Sequence, residues 1–349
     1  MKHLKKWSLC LMSTILLVGL LSACGSDDKA SADKASADKE ETTKEQKSDV
    51  YSGKELEKYN AYVELSNAVN MEFLEAQSQY FQDYSDENGK YKKPSNDNYP
   101  PIRAVGLTTN ALEDANKYLD KSPSFTADKE AAKLVKDLDK DSKTLTELDN
   151  YYRSKGYIDD NFKKGETLHN DFLKSSETTN KDIKAFNEKM SKLIDKQQEA
   201  AAKEMKDAGE LTVYNVNNFI TQTEKLITTL ESQGINASNV LDTDLAAYED
   251  VYNQFTKSYD ELIKASKDEK QLKKEELTED DLSSIINSAN TTKADASSLL
   301  NRLKKKEAIS QADIESASFI NSVEGTPERL MESYNKLVDD YNTFINSPF

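Results

Sequence analysis

Two histidines, two cysteines and 63 carboxylates are the groups from which this 349-residue chain could assemble a catalytic or metal site. The histidines are too few. His3 lies at the N-terminus, and His169 stands alone in Glu-Thr-Leu-His-Asn-Asp-Phe-Leu. A Ser-His-Asp triad and a histidine-rich metal site both need an imidazole partner that is missing. His169 therefore reads as a surface or internally satisfied side chain. Asp137, Asp139 and Asp141 have the one-three-five spacing of a calcium loop. Position six, which needs glycine, is Ser142, and position twelve, which needs a bidentate glutamate, is Leu148. Leu134, Leu138, Leu145 and Leu148 also make the region helical, so no calcium is expected there. Glu279-Asp280-Asp281 falls at an expected helix start, and Arg302 with Lys304-Lys305-Lys306 at an expected helix end. The helix dipole explains both. Phosphate cradles, nucleophile elbows and Gly-rich dinucleotide turns are absent from the sequence. A carboxylate pair working as acid and base depends on a distance that sequence does not contain. The expectation is a protein that is not an enzyme and takes no cofactor and no metal.

The reactive group with the clearest setting is Cys24. Lys2, Lys5 and Lys6 precede an apolar run from Ser8 to Leu21, and Ser22-Ala23 lead to the cysteine. These are the three parts of an export signal over residues 1–23. The apolar run is shorter than the roughly 20 residues that span a bilayer. Leu21-Ser22-Ala23-Cys24 resembles the lipobox of bacterial lipoproteins. That resemblance implies cleavage before Cys24 and a thioether to diacylglycerol on its sulfur. Cys10 lies inside the signal, so the mature chain has no second cysteine and its core must hold the fold. Localisation at the cell membrane follows, lipid-anchored on the extracytoplasmic face, and the missing disulfide points toward a Gram-positive surface. Residues 24–50 read as a linker. Ala-Ser-Ala-Asp-Lys occurs in tandem at 30–34 and 35–39, and no aromatic residue lies between Gly25 and Asp49. Such a stretch has little to bury, and its root-mean-square span is about 25–30 Å.

Residues 51–349 form the expected folded domain. Its glycines and prolines are few, ten and six in the whole chain, and they punctuate long stretches in which apolar residues recur every three or four positions. Leu56, Tyr59, Val63, Ser66, Val69, Phe73, Ala76, Tyr80 and Tyr84 make one such stripe. Ser52 with Glu55, Thr278 with Asp281 and Ser310 with Asp313 have the spacing of capping boxes. Gly325-Thr326-Pro327-Glu328 sets a helix stop beside a helix start. Helices are expected over 53–86, 107–121, 126–155, 166–208, 211–233, 243–274, 279–306, 310–323 and 327–346. A long irregular loop is expected from Asp86 to Gly106, and no segment alternates as a strand. The fold class is all-α, an elongated antiparallel bundle of about seven to nine helices. A division near Gly209 is conceivable, although nothing there has linker composition. The net charge of −16 makes nucleic acid a poor partner.

Tyrosine followed by asparagine recurs at Tyr59-Asn60, Tyr214-Asn215, Tyr252-Asn253, Tyr334-Asn335 and Tyr341-Asn342. The opening KYNAYVELSN (58–67) and the closing EGTPERLMESYNKLVDDYN (324–342) resemble the two ends of the YiiG-like family of bacterial lipoproteins, a family without assigned function. The resemblance covers about 57–344. It implies a helical envelope lipoprotein and transfers no catalytic residue. The tyrosines themselves allow two readings. They pack their rings at the rim of the core, or some of them, Tyr59, Tyr252 and Tyr334, line an inter-helix groove for a sugar or peptide. Trp7, the one tryptophan, lies in the signal, which weakens the groove. Three functions are thus in view: a non-enzymatic scaffold that contacts another envelope protein, a receptor with a tyrosine-lined cleft, or a carboxylate-dependent hydrolase of the wall. The first is preferred.

Overall fold

The apolar stripes close into helices that meet in antiparallel pairs. The computed structural model describes residues 50–94, 99–103 and 105–346. The expected signal, Cys24 and the linker up to Asp49 lie outside the described residues. α1 (Gly53–Ala68) passes through a π-helical turn (Val69–Phe73) into α2 (Leu74–Tyr84). α3 (Gly106–Tyr118), α4 (Asp128–Arg153), the single turn α5 (Tyr157–Asp160) and α6 (Lys163–Ala208) follow. Beyond Gly209 come α7 (Leu211–Ser232), α8 (Leu245–Ala265), the short α9 (Glu269–Lys274) and α10 (Ser283–Lys305). The short α11 (Gln311–Glu315) and α12 (Pro327–Asn346) complete the order. The only strand-type pairing among the described residues is one isolated bridge between Ser85 and Tyr91. The fold is all-α, as the periodicity requires.

Two cores, not one, are buried. The first runs from Tyr51 to Leu193 and the second from Val216 to Phe344. In the first, α1 and α2 lie antiparallel to α6, since Ser66 meets Asn187 and Tyr80 meets His169. α3 runs back along α1, with Thr108 beside Glu72 and Tyr118 beside Glu57. α4 packs between α3 and α6. The second core repeats the scheme. α7 packs on α8, α8 on α10, α10 on α12 and α12 on α7, each antiparallel to its neighbour. Each core is an up-and-down four-helix bundle, the arrangement that short connections favour. α6 joins them. Its 46 residues span about 69 Å. Its apolar residues up to Leu193 and Ile194 serve the first core, and its last turns lie against α7.

Several boundaries differ from the periodicity for local reasons. The expected helix 53–86 carries the π turn, which keeps Val69, Asn70 and Phe73 all inward. Asn187 Nδ2 donates to Asn70 Oδ1 at 3.3 Å there. Ser52 occupies the N-cap of α1 but makes no side-chain cap bond, so that expected capping box does not form. The other two do. Ser310 Oγ accepts from Asp313 N at 3.2 Å and donates to Asp313 Oδ2 at 2.6 Å. Thr278 N donates to Asp281 Oδ2 at 2.8 Å. The expected helix 243–274 breaks after Ala265, where Asp268 caps α9 by accepting from Gln271 N at 3.1 Å. Thr326 Oγ1 accepts from Arg329 N at 3.1 Å and starts α12 behind Gly325, whose φ is +72°.

Candidate functional site

His169 is buried among aromatic rings. Its Nδ1 lies 3.1 Å from Tyr80 Oη and its Nε2 lies 3.1 Å from Gly89 O. Burial holds its pKa below the ordinary histidine value. Both ring nitrogens are engaged, so His169 is a packing residue. The three aspartates of the calcium spacing point different ways. Asp139 pairs with Lys143 at 2.7 Å. Asp141 is fully buried and accepts from Ser175 Oγ at 2.5 Å and Thr179 Oγ1 at 2.6 Å. Burial outweighs those bonds and pushes its carboxyl up. Asp137 lies against Asp182 of α6, and burial with that carboxyl–carboxyl hydrogen bond raises Asp182. Among the described residues no three His, Cys, Asp or Glu side chains converge as a metal site would require.

The candidate groove tyrosines are divided between two places. Tyr59 and Tyr334 are buried, and both lie within electrostatic reach of Glu224 on α7. Glu224 stands where the two bundles adjoin and accepts from Gln198 Nε2 of α6 at 3.0 Å. Burial pushes its carboxyl up to about 7. The chain also joins the first bundle near here, where Tyr51 N donates to Gln197 Oε1 at 2.8 Å. Tyr252 lies elsewhere, half-buried on the outer seam between α8 and α10. Lys293 Nζ donates to Tyr252 Oη at 2.7 Å and to Ser297 Oγ at 3.1 Å. Tyr252 Oη and Ser297 Oγ are 2.8 Å apart. Burial alone would raise the Tyr252 phenol, but its bonds to Lys293 and Ser297 outweigh it and hold the phenol below the ordinary tyrosine value. Tyr59, Tyr252 and Tyr334 therefore do not line one groove. Of the Tyr-Asn tyrosines, Tyr59, Tyr334 and Tyr341 are buried and Tyr214 and Tyr252 half-buried, which is core and rim packing.

A cleft of about 690 Å³ opens between α3 and α4. Leu112, Leu119, Ala132 and Val135 give its apolar lining, charged side chains edge it, and no tyrosine touches it. The tyrosines instead crowd the far end of the first bundle. Tyr84 and Tyr152 ring centres are 4.9 Å apart, Tyr80 stacks on Tyr84 at 5.1 Å, and Tyr91 Oη meets Tyr152 Oη at 2.6 Å. Gly165 permits this crowding. A Cβ there would stand 2.9 Å from the Tyr151 ring and 3.0 Å from the Tyr91 and Tyr152 hydroxyls. The sequence signal for the nest was the paired Tyr151-Tyr152 followed by Gly156 and Gly165, not the Tyr-Asn repeats.

This architecture defines a class: an all-helical protein of two tandem four-helix bundles, in which His169 and Asp141 are engaged inside the first bundle. No helix among the described residues is long and apolar enough to cross a membrane. Residues 53–343 match the family described as "Protein of unknown function (DUF3829)". Among curated proteins, the "Uncharacterized protein YiiG" of Escherichia coli (strain K12) is 27% identical over 203 residues. That match takes in 57% of this chain and 53% of the relative, about half the length of each. No solved structure matches. The chain belongs to this YiiG-like family, for which neither description assigns a function.

Proposed function

We propose that the protein is a lipid-anchored module on the extracytoplasmic face of the cell envelope, where its helical body contacts another envelope protein without catalysing a reaction. One observation carries this reading: a short apolar run with a basic start ends at Leu21-Ser22-Ala23-Cys24, and a low-complexity stretch follows at once. Two chains on Cys24 would anchor the protein stably, where a single chain binds only marginally. Several features support a binding role over a catalytic one. The lone central imidazole is sequestered by Tyr80 and Gly89, and the buried carboxyl of Asp141 is held by two hydroxyls. The chain joins the body beside Gln197, near the meeting of the bundles rather than at a far tip. A linker attached there presents the flanks of both bundles sideways, a geometry suited to a protein partner.

The test is Cys24→Ala. The unaltered protein is expected in the membrane fraction and labelled by radioactive palmitate; the variant is expected in the soluble fraction without label. Equal membrane partition of the two proteins overturns the anchor. Zymography on wall preparations tests the absence of catalysis, and a lytic band from purified protein overturns it.

A further inference from the structure

The outer seam between α8 and α10 is built of rungs. Glu249 takes Lys304 at 2.8 Å, Tyr252 meets Ser297 at 2.8 Å, and Tyr259 donates to Asn290 Oδ1 at 2.7 Å. Each rung is closed by one side chain from each helix. Lys293 is surplus to this ladder. The residue is half-buried, and its ammonium bonds to two hydroxyls and lies 4.6 Å from the Tyr252 ring centre. No carboxylate among the described residues pairs with it. Lys189 and Arg302 are also half-buried without a carboxylate, and Arg302 spends its donors on backbone carbonyls; Lys293 differs in holding only two hydroxyls, although burying a charge is costly unless it is paired.

The proton inventory leaves donors free at this place. Ser297 Oγ gives its proton to Lys293 O at 2.6 Å. It therefore accepts from both Tyr252 and Lys293. Two ammonium protons point at Tyr252 Oη and Ser297 Oγ, and the third has no acceptor in the seam. The phenol proton can turn outward, because Ser297 Oγ keeps the ammonium as a donor.

We infer that the triangle of Lys293, Tyr252 and Ser297 is a binding site for a carboxylate, one oxygen taken by the third ammonium proton and the other by the Tyr252 hydroxyl. Charge decides the class of anion. One ammonium offsets one negative charge, which is what a carboxylate carries. A phosphate monoester brings about −1.5 to −2 at neutral pH and would face the field of a net acidic chain with a single cation to meet it. Paired donors of fixed spacing also suit the two oxygens of a carboxylate. The carboxylate comes either from a free organic acid or from an aspartate or glutamate side chain of a protein; the recognition chemistry is the same. The inference is independent of lipidation.

The experiment uses the folded protein with 13C-labelled tyrosine rings, the Tyr252 signal being assigned with Tyr252→Phe. At constant ionic strength it is titrated with acetate, with an Asp/Glu-rich peptide and with inorganic phosphate. The Tyr252 signal is expected to shift saturably with a carboxylate probe. Lys293→Gln, with its helical circular dichroism and other tyrosine signals unchanged, is expected to weaken that affinity at least tenfold. Tighter binding of the peptide than of acetate assigns the carboxylate to a protein; the reverse order assigns it to a small acid. The site is refuted by no saturable shift with either carboxylate, by equal affinity in Lys293→Gln, or by phosphate binding more tightly than both.

Discussion

Lys58 shows how a side chain that looks like solvated surface can be structural. It is fully buried in α1, and its ammonium donates to Lys121 O at 2.9 Å, Pro123 O at 3.1 Å and Asp128 Oδ2 at 2.8 Å. The Phe125 and Tyr62 rings lie 5.4 and 5.7 Å away. Asp128 is shared, because Tyr62 Oη donates to its other oxygen at 2.8 Å. One cation thus satisfies the carbonyls of the α3–α4 connection and the first residue of α4. Removing one partner of a buried pair costs about 3–5 kcal/mol. Asp128 retains some exposure, so the lower end applies. Lys58→Ala is expected to lower the stability of the first bundle by about 3 kcal/mol in urea titration, while an exposed lysine such as Lys143→Ala changes it by less than about 1 kcal/mol. Equal small effects of the two would show that the network carries little. Lys58 could not be picked out beforehand. It sits next to Tyr59 in the stripe, and only the approach of the α3–α4 connection makes its position interior.

At the scale of elements, the meeting of α6 and α7 holds the groove tyrosines' shared carboxylate. Glu224 faces Gln198 and Asp195 of α6, Tyr59 of α1 and Tyr334 of α12, with Lys225 beside it on α7. Its folded pKa, about 7, lies above the ordinary value of 4.5. Between those two pH values the unfolded chain has released the proton that the folded chain keeps. Stability therefore falls as pH rises through this window and levels off above it. Glu224→Gln preserves an acceptor for Gln198 and removes the titration. It is expected to be more stable than the parent at pH 8, by about 1–2 kcal/mol once partial exposure is allowed for. The difference should shrink toward pH 4.5. Thermal melts across this range check the sign, and a gap that widens as pH falls would contradict it. The breaks in the helices belong to the same scale. Apolar periodicity continued through 243–274, whereas Asp268 captures the Gln271 amide and restarts the chain as α9. Period-3.6 stripes mark faces, but a short polar side chain can outbid the next turn for a backbone amide.

At the scale of the whole molecule, α6 links two buried cores that have no apolar cluster in common. Their contact runs through polar groups such as Gln198 and Glu224. Each bundle should therefore lose its structure in its own transition. Leu138 and Leu262 are both fully buried, one in each core. Leu138→Ala is expected to lower only one calorimetric transition and Leu262→Ala only the other, each by about 2–5 kcal/mol. A single transition lowered equally by both variants would make the molecule one cooperative unit.

Helical class, antiparallel pairing and most helix positions were legible from residues alone, because each follows from local spacing: apolar stripes at three and four, capping pairs such as Ser310 with Asp313, and the Gly325-Thr326-Pro327 stop and start. The export-like start and Cys24 are likewise a matter of neighbours in the chain. The division into two cores was not. Nothing near Gly209 differs in composition from a helix hairpin, and α6 runs as one unbroken helix past the end of the first core. The separation of Tyr252 from Tyr59 and Tyr334, the burial of Lys58 and the surplus charge of Lys293 were equally out of reach. A periodic pattern states which face of a helix turns inward. Which other helix covers that face, and therefore whether a lysine meets a carboxylate, a carbonyl or only two hydroxyls, is decided by contacts between residues tens of positions apart.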